Sequence, residues 1–258
     1  MRYLAEHAEL LTGGTLRTHL AALAHWHKKH GFLDPTKEPR VRDVLRGIQA
    51  EHPRPVKQTE ALTLEALEAC ITELTDAAVS SNPCVQLRAC RDRALILLGF
   101  WRAFRSDDLC RLQVEHIQLQ AGVGLKFFLA TGKTDRENHG RMLSVPALKR
   151  LCPVQAYEDW LRISGINEGP VFRAIDRWGH LGAQGLNPNN VSRLLRMAFL
   201  RNGLGADYSG HSLRRGFATW ASRNHWGTKA LMDYVGWRDV QSAIRYIDAA
   251  ESFGDWRH

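Results

Sequence analysis

The sequence predicts a mainly α-helical protein of two domains with a small antiparallel sheet of three strands. Three observations predict it. Apolar residues recur at helical spacing through most of the chain, and capping residues or Gly and Pro breakers close the runs. Between Val114 and Val145 that spacing gives way to three short strand-like segments. The stretch Glu51 to Glu60, with Pro53, Pro55 and the basic Arg54 and Lys57, carries neither period and separates two periodic regions.

Taken in order, the chain opens with three expected helices: Arg2 to Leu11, Thr15 to His30 after the Gly13-Gly14 break, and Val41 to Ala50 after Asp34-Pro35. In the second, Leu16, Leu20, Leu23 and His27 share one face, flanked by Arg17 and Lys28; in the third, Val41, Leu45 and Ile48 form the stripe to be buried, and Arg42 and Arg46 stand one turn apart on another face. Residues 1–52 are therefore read as one helical domain, 53–61 as a linker and 62–258 as a second domain. The second begins with a helix from Leu64 to Leu74 capped by Thr63, a strongly apolar helix from about Cys84 to Trp101, and a short one from Asp107 to Leu112. Val114 to Leu119, Val123 to Ala130 and Arg141 to Val145 are the expected strands, with Gly132 and Gly140 bounding the last turn. Helices return at Val154 to Ile163, Val191 to Arg201 before Gly203, Leu213 to Ser222 and Val240 to Ala249. Internal repeats and low-complexity tracts are absent from the sequence.

With 258 residues, 44% of them hydrophobic and 24% charged, the chain has the composition of an ordinary globular protein with a sizeable core. Its net charge of +8 favours a polyanionic partner, nucleic acid being the commonest. Candidate phosphate contacts are Lys28, Lys29, Arg42, Arg46, Arg193 and Arg201, though any one of them has a solvated face as its ordinary alternative. Cys70, Cys84, Cys90, Cys110 and Cys152 make an odd set with no Cys-x-x-Cys pair, which argues against a disulfide framework or a zinc site. His25, His27 and His30 lie on a Trp-containing basic helix without acidic or thiol partners nearby in sequence, so no metal site is expected there. No apolar run approaches transmembrane length, and Met1 to Leu11 carries charges where a signal peptide is apolar; a cytosolic protein with no membrane partner is the expectation.

The chemistry concentrates toward the carboxyl end. His211 and Arg214 stand one helical turn apart in Gly210-His211-Ser212-Leu213-Arg214, followed by Trp237 and Tyr246. A phosphodiester carries its charge on two non-bridging oxygens, so a metal-free site needs guanidinium or imidazolium donors around a nucleophile able to attack phosphorus. Arg214, His211 and Tyr246 are groups of those kinds.

The stretch from Gly210 to Thr219 resembles the His-x-x-Arg segment of the tyrosine recombinases, the phage integrase family. In that family a Gly-His or Gly-Trp dipeptide and then the nucleophile follow, and Gly236-Trp237 and Tyr246 stand at the matching spacing. Phe104-Arg105-Ser106-Asp107-Asp108-Leu109 looks like the first catalytic arginine with its trailing acid and leucine, and Lys133, in Thr131-Gly132-Lys133-Thr134-Asp135, falls on the hairpin where the family keeps its catalytic lysine. The resemblance covers roughly residues 60 to 250 and draws its force from joint order and spacing.

It implies a two-domain DNA clamp: an amino-terminal core-binding domain, a basic linker, and a catalytic domain with the sheet. It implies Arg105, Lys133, His211, Arg214, Trp237 and Tyr246 as catalytic residues, with Asp108 supporting them by orienting a cation, and no metal or other cofactor. A tyrosine hydroxyl with a pKa near 10 is only about one part in a thousand ionised at pH 7, so it needs a strongly cationic setting or a base. Planar donor forks hold the oxygens of a pentacoordinate phosphorus better than point charges, and losing one such donor should cost on the order of 3 kcal/mol. Lys133 would protonate the leaving 5′ oxygen, His211 would bind phosphate and assist proton movement, and Trp237 would donate its indole N–H. Duplex DNA is the implied partner, bound by a tetramer on paired sites, each protomer supplying one tyrosine.

Each residue alone has an ordinary structural use. Tyr246 shares a helix with the apolar stripe Val240, Ile244 and Ile247; Trp237 could be packing; Arg105 could satisfy helix-terminal carbonyls; Lys133 could be solvated; Arg102, Arg111 and Arg215 are read as surface or structural. The family's amino-terminal domain usually holds four or more helices, so the first is expected to be missing here, and Phe253 and Trp256 are expected to give the short tail an apolar grip, in cis or in trans. Two further readings share the fold or the chemistry: a DNA-binding protein that does not cut, and a type IB topoisomerase.

Overall fold

The computed structural model describes residues 1–54, 59–130, 140–205, 208–241 and 243–244. The chain divides into two compact units, Met1–Gln58 and Thr59–His258. Both are mainly helical, and the second carries the sheets.

The first unit holds α1 (Arg2–Glu6), α2 (Gly13–Lys29) and α3 (Pro39–Glu51). Leu4, Ala8, Leu16 and Ile48 form its buried centre, and Val41, Val44 and Leu45 are half-buried around it. The expected first helix stops at Glu6, short of Leu11, because the next residues turn: the Leu10 and Leu11 N–H groups both return to the His7 carbonyl. That turn presents the Glu9 and Leu10 carbonyls to the Arg54 guanidinium. Gly13 and Gly14 are inside α2 instead of breaking it. Thr12 caps the helix, its Oγ1 accepting the Thr15 N–H, and a Cβ at Gly13 would come within 2.9 Å of the Gln49 side chain on α3. Leu23, on the face expected to be buried, is 44% exposed.

The second unit is built around α5 (Pro83–Trp101), whose buried residues run from Ala89 to Trp101. Asn82 caps it, with Oδ1 accepting the Cys84 and Val85 N–H groups. α4 (Leu64–Ala77), capped by Thr63 as expected, packs on one side, and α7 (Pro153–Ser164) and α9 (Gly210–Arg223) on others. α6 (Ser106–Cys110) ends two residues before the expected Leu112. The three-stranded antiparallel sheet is present, in the order β1 (Ile117–Gln120), β2 (Gly124–Leu129), β3 (Arg141–Pro146). Val114–His116 forms a 3-10 turn where a strand was expected, since the Val114 N–H bonds the Gly169 carbonyl instead of a neighbouring strand.

A hairpin of β4 (Arg173–Ile175) and β5 (Leu181–Gly185), α8 (Pro188–Arg201) and α10 (Thr228–Val235) complete the described elements. Neither the hairpin nor α10 was among the expected elements: the hairpin's strands are too short to show a period, whereas α10 buries Leu231 and Val235, one turn apart, and was legible but not read. The Asp176 carboxylate makes the hairpin turn by accepting the Trp178 and His180 N–H groups, each at 2.9 Å. α9 starts at Gly210, three residues before the expected Leu213, because Ser209 and Ser212 form a reciprocal cap: Ser209 Oγ accepts the His211 N–H and Ser212 Oγ the Ser209 N–H. Most of the expected helix from Val240 to Ala249 lies outside the described residues; of its stripe, Val240 and Ile244 are exposed and Ala243 is buried instead.

Candidate active site

The end of α5 creates the site. Its last turn closes in a Schellman arrangement, the Phe104 N–H reaching the Gly99 carbonyl and the Ala103 N–H the Phe100 carbonyl. That motif needs a left-handed residue, and Ala103 takes it with φ of 52°, where glycine is the usual choice. The reversal buries Phe104 and brings Arg105 out as the first residue of the next turn. It also turns the Ala103 carbonyl toward α9, where Arg214 Nη1 donates to it at 2.7 Å. One non-glycine residue in a costly conformation thus fixes two candidate arginines.

Arg214 is 7% exposed, and its guanidinium carbon lies 5.6 Å from the centre of the Trp237 ring. His211, one turn earlier on α9, is exposed. At Gly210, the first residue of α9, the space a Cβ would take is filled by Ser106 Oγ from α6. Trp237 follows Gly236, which ends α10 in the left-handed region at φ of 73°. Arg105 Nη1 is buried and makes no hydrogen bond among the described residues.

Asp108 is 1% exposed. Its Oδ2 accepts the Arg105 backbone N–H at 3.3 Å, capping α6, and lies 3.8 Å from Arg105 Nη1. The same oxygen accepts Arg141 Nη2 at 3.3 Å. Arg141 is the residue that the sequence reading missed: it figured there only as the start of a strand, and nothing local marks it out from the other surface-capable arginines. Arg105, for its part, begins a helix and does not satisfy the carbonyls of the one before it.

Arg102 lies beneath the site as a structural residue. It donates to the Tyr234 carbonyl and stacks 4.2 Å from the centre of the Tyr234 ring, while burial brings its pKa down to about 10. Arg111 pairs with Asp107 at 3.0 Å near the surface, and Arg215 is half-buried on α9. Lys133 and Tyr246 lie outside the described residues.

The candidate phosphate contacts are spread over both units. Lys28 and Lys29 are exposed at the end of α2, and Arg42 and Arg46 on α3, with Asp43 3.4 Å from Arg46. Arg193 and Arg201 line a cleft with Glu73, Arg88 and Asp92, and Arg201 stands 3.5 Å from Glu73. Among the described residues no group of three or more His, Cys, Asp or Glu side chains could hold a metal ion, and no helix is long and apolar enough to cross a membrane.

A sequence model of the phage integrase family matches residues 67–252. The chain belongs to the phage integrase family. As a member of that family of tyrosine recombinases, it is a DNA strand-transferring, site-specific recombinase in class. The integrase/recombinase xerD homolog of Selenomonas ruminantium is 28% identical over 261 aligned residues, which cover 99% of this chain and 74% of that protein. Type 1 fimbriae regulatory protein FimB of Escherichia coli strain K12 is 26% identical, over 65% of this chain and 79% of its own length. Among solved structures, the Tn1549 transposon integrase in complex with transposon right end DNA is similar at a TM-score of 0.62 and 13% identity, covering 95% of this chain and 78% of the integrase. XerH recombinase bound to palindromic difH substrate gives 0.59 and 14%, covering 94% and 70%. At those identities the structural likeness establishes the fold of this integrase family member and nothing finer.

Proposed function

We propose that this protein cuts and rejoins duplex DNA at a specific site through a 3′-phosphotyrosyl intermediate on Tyr246, drawing on neither metal nor ATP. The observation that carries the reading is the pair of guanidiniums fixed by one turn: Arg214 anchored to the Ala103 carbonyl, and Arg105 two residues on with a buried nitrogen lacking a hydrogen bond among the described residues. A desolvated donor of that kind gains most when a charged oxygen arrives, and a phosphate in flight between two bonds supplies one.

In this mechanism Arg105 and Arg214 grip the non-bridging oxygens, His211 binds phosphate and relays a proton, and Trp237 donates its indole N–H. The Tyr246 oxygen attacks phosphorus, the bond to the 5′ oxygen breaks, and Lys133 gives that oxygen its proton. A second strand's 5′-hydroxyl then attacks the phosphotyrosine, its proton returns to the site, and the phenol is released. The linkage preserves the energy of the original phosphodiester, which is why no nucleotide is consumed. The unit Met1–Gln58 serves as the DNA-binding domain, with Lys28, Lys29, Arg42 and Arg46 on phosphates, and Arg193 and Arg201 assist from the catalytic unit. Affinity for DNA then falls steeply with salt. Four protomers act on paired sites in the cytoplasm, each contributing one tyrosine.

The test is trapping of a covalent adduct on nicked suicide duplexes tiled through the DNA that flanks the gene. Wild-type protein traps, whereas Tyr246→Phe binds the same duplex and traps nothing. Binding without an adduct from the wild-type protein would leave a non-cutting DNA-binding protein, and relaxation of supercoiled plasmid without site preference would leave a type IB topoisomerase.

A further inference from the structure

Asp108 offers one oxygen to two cations. Arg141 Nη2 donates to Oδ2 at 3.3 Å from the start of β3, while Arg105 Nη1 stands 3.8 Å from the same atom, beyond hydrogen-bond reach. Asp108 Oδ1 is buried and makes no hydrogen bond among the described residues. The carboxylate and the Arg105 guanidinium lie three residues apart at the head of one short helix, with the Arg105 backbone N–H already on Oδ2. Left to themselves, a buried carboxylate and a neighbouring guanidinium close into a forked pair, the strongest arrangement open to both. Arg105 would then spend its donors on Asp108.

Arg141 stands where it interferes with that closure. A Cβ at Gly236 would come within 2.8 Å of Arg141 Nη1, so the bare backbone before Trp237 leaves the space that the guanidinium needs. From there Arg141 reaches a carboxylate that is 1% exposed while staying 27% exposed itself.

We propose that Arg141 is a positioning residue: by taking the charge of Asp108, it keeps the Arg105 guanidinium open to a phosphate. The proposal rests on the recombinase reading above and acts through Asp108, with no contact between Arg141 and the reacting atoms.

The probe is inorganic sulfate, titrated into full-length protein labelled with nitrogen-15 in its arginines, with the Arg105 Nε–Hε resonance as the readout. Sulfate shifts that resonance in the wild-type protein. In Arg141→Met the apparent affinity read at Arg105 falls about tenfold, the loss expected for one charge-assisted contact. Combining Arg141→Met with Asp108→Asn returns it to near the wild-type value, since asparagine keeps the oxygen that caps α6 but has no charge to close on Arg105. A merely structural Arg141 gives no such recovery. Should Arg141→Met fail to fold, Arg141→Lys carries the same test, with a smaller loss and the same recovery. The proposal is overturned if Arg105 ignores sulfate in the wild-type protein, answers it equally well in the Arg141 variant, or stays silent in the double variant. Because sulfate binding needs neither Tyr246 nor target DNA, failure here is separable from failure to trap the covalent adduct.

Discussion

The two units of this protein solve opposite problems. In Met1–Gln58 the described buried apolar residues are Leu4, Ala8, Leu16 and Ile48, while Trp26, Phe32 and Leu33 stay at least half exposed. In Thr59–His258 one continuous core contains Phe100, Phe104, Phe127, Trp160, Phe172, Phe199 and Phe217, each 2% exposed or less. A unit of under 60 residues buries a smaller share of its surface and stands near the margin of stability. The larger one has core to spare, and it spends some of it on a left-handed alanine and on arginines held away from water. Rigidity is concentrated where an ångström would matter to the proposed chemistry, and the marginal unit carries the basic side chains proposed for a phosphate backbone, a task that tolerates adjustment.

Calorimetry can break that contrast. Trp160→Ala removes a fully buried ring and its hydrogen bond to the Val171 carbonyl, so it should destabilise the larger unit by about 4 kcal/mol and lower its transition without moving that of the first unit. A shift of both transitions together would mean the units do not melt separately. Arg105→Ala should slow covalent-adduct formation about a hundredfold or more, on the order of 3 kcal/mol, with the melting temperature unchanged. An equal loss of stability would make Arg105 a structural arginine. Leu16→Ala, at 0% exposure in the small core, should cost about 2–3 kcal/mol and unfold the first unit at ordinary temperature while the second keeps its transition.

Ala103→Gly relieves the left-handed strain and should stabilise the larger unit by about 1 kcal/mol or less, while loosening the carbonyl that anchors Arg214 and so lowering the adduct rate. A gain in stability with no change in rate would separate the strained turn from the chemistry. The smallest effect concerns acid. Burial raises the Asp159 carboxyl, but the hydrogen bond from Arg162 and the Arg93 guanidinium outweigh it and hold the pKa below the usual carboxylate range. A folded pKa below the unfolded one means stability that is present above the unfolded value and fades as pH falls through the folded one. Asp159→Asn should therefore be less stable than wild type near neutrality and lose that difference in acid; a difference that persists in strong acid would point to packing instead.

Legibility from sequence follows the range of each signal. Thr63 and the long apolar α5 were readable because a cap and a run of apolar residues are local signals. The hairpin of β4 and β5 was not, since strands of three and five residues show no period and depend on the Asp176 turn to bring them together. The helix expected to run to Leu11 breaks at His7 because tertiary contacts of the turn outweigh a weak propensity. At the candidate site, Arg105, Asp108, His211, Arg214 and Trp237 were read from their resemblance to the family's motifs, and Lys133 and Tyr246, outside the described residues, rest on that resemblance alone. Arg141 left no trace in the pattern.

From the chain alone came the candidate inventory for phosphate chemistry, its order, and the helical frame with its small sheet, all properties that neighbouring residues encode in their period, caps and type. Tertiary structure decided which donor faces which charge. Arg141 and Asp108 are 33 residues apart and meet only because the fold brings the start of β3 within reach of α6, and Arg214 finds the Ala103 carbonyl only because one alanine is held left-handed. Electrostatic partnership is set by distance in space, and packing alone fixes that distance.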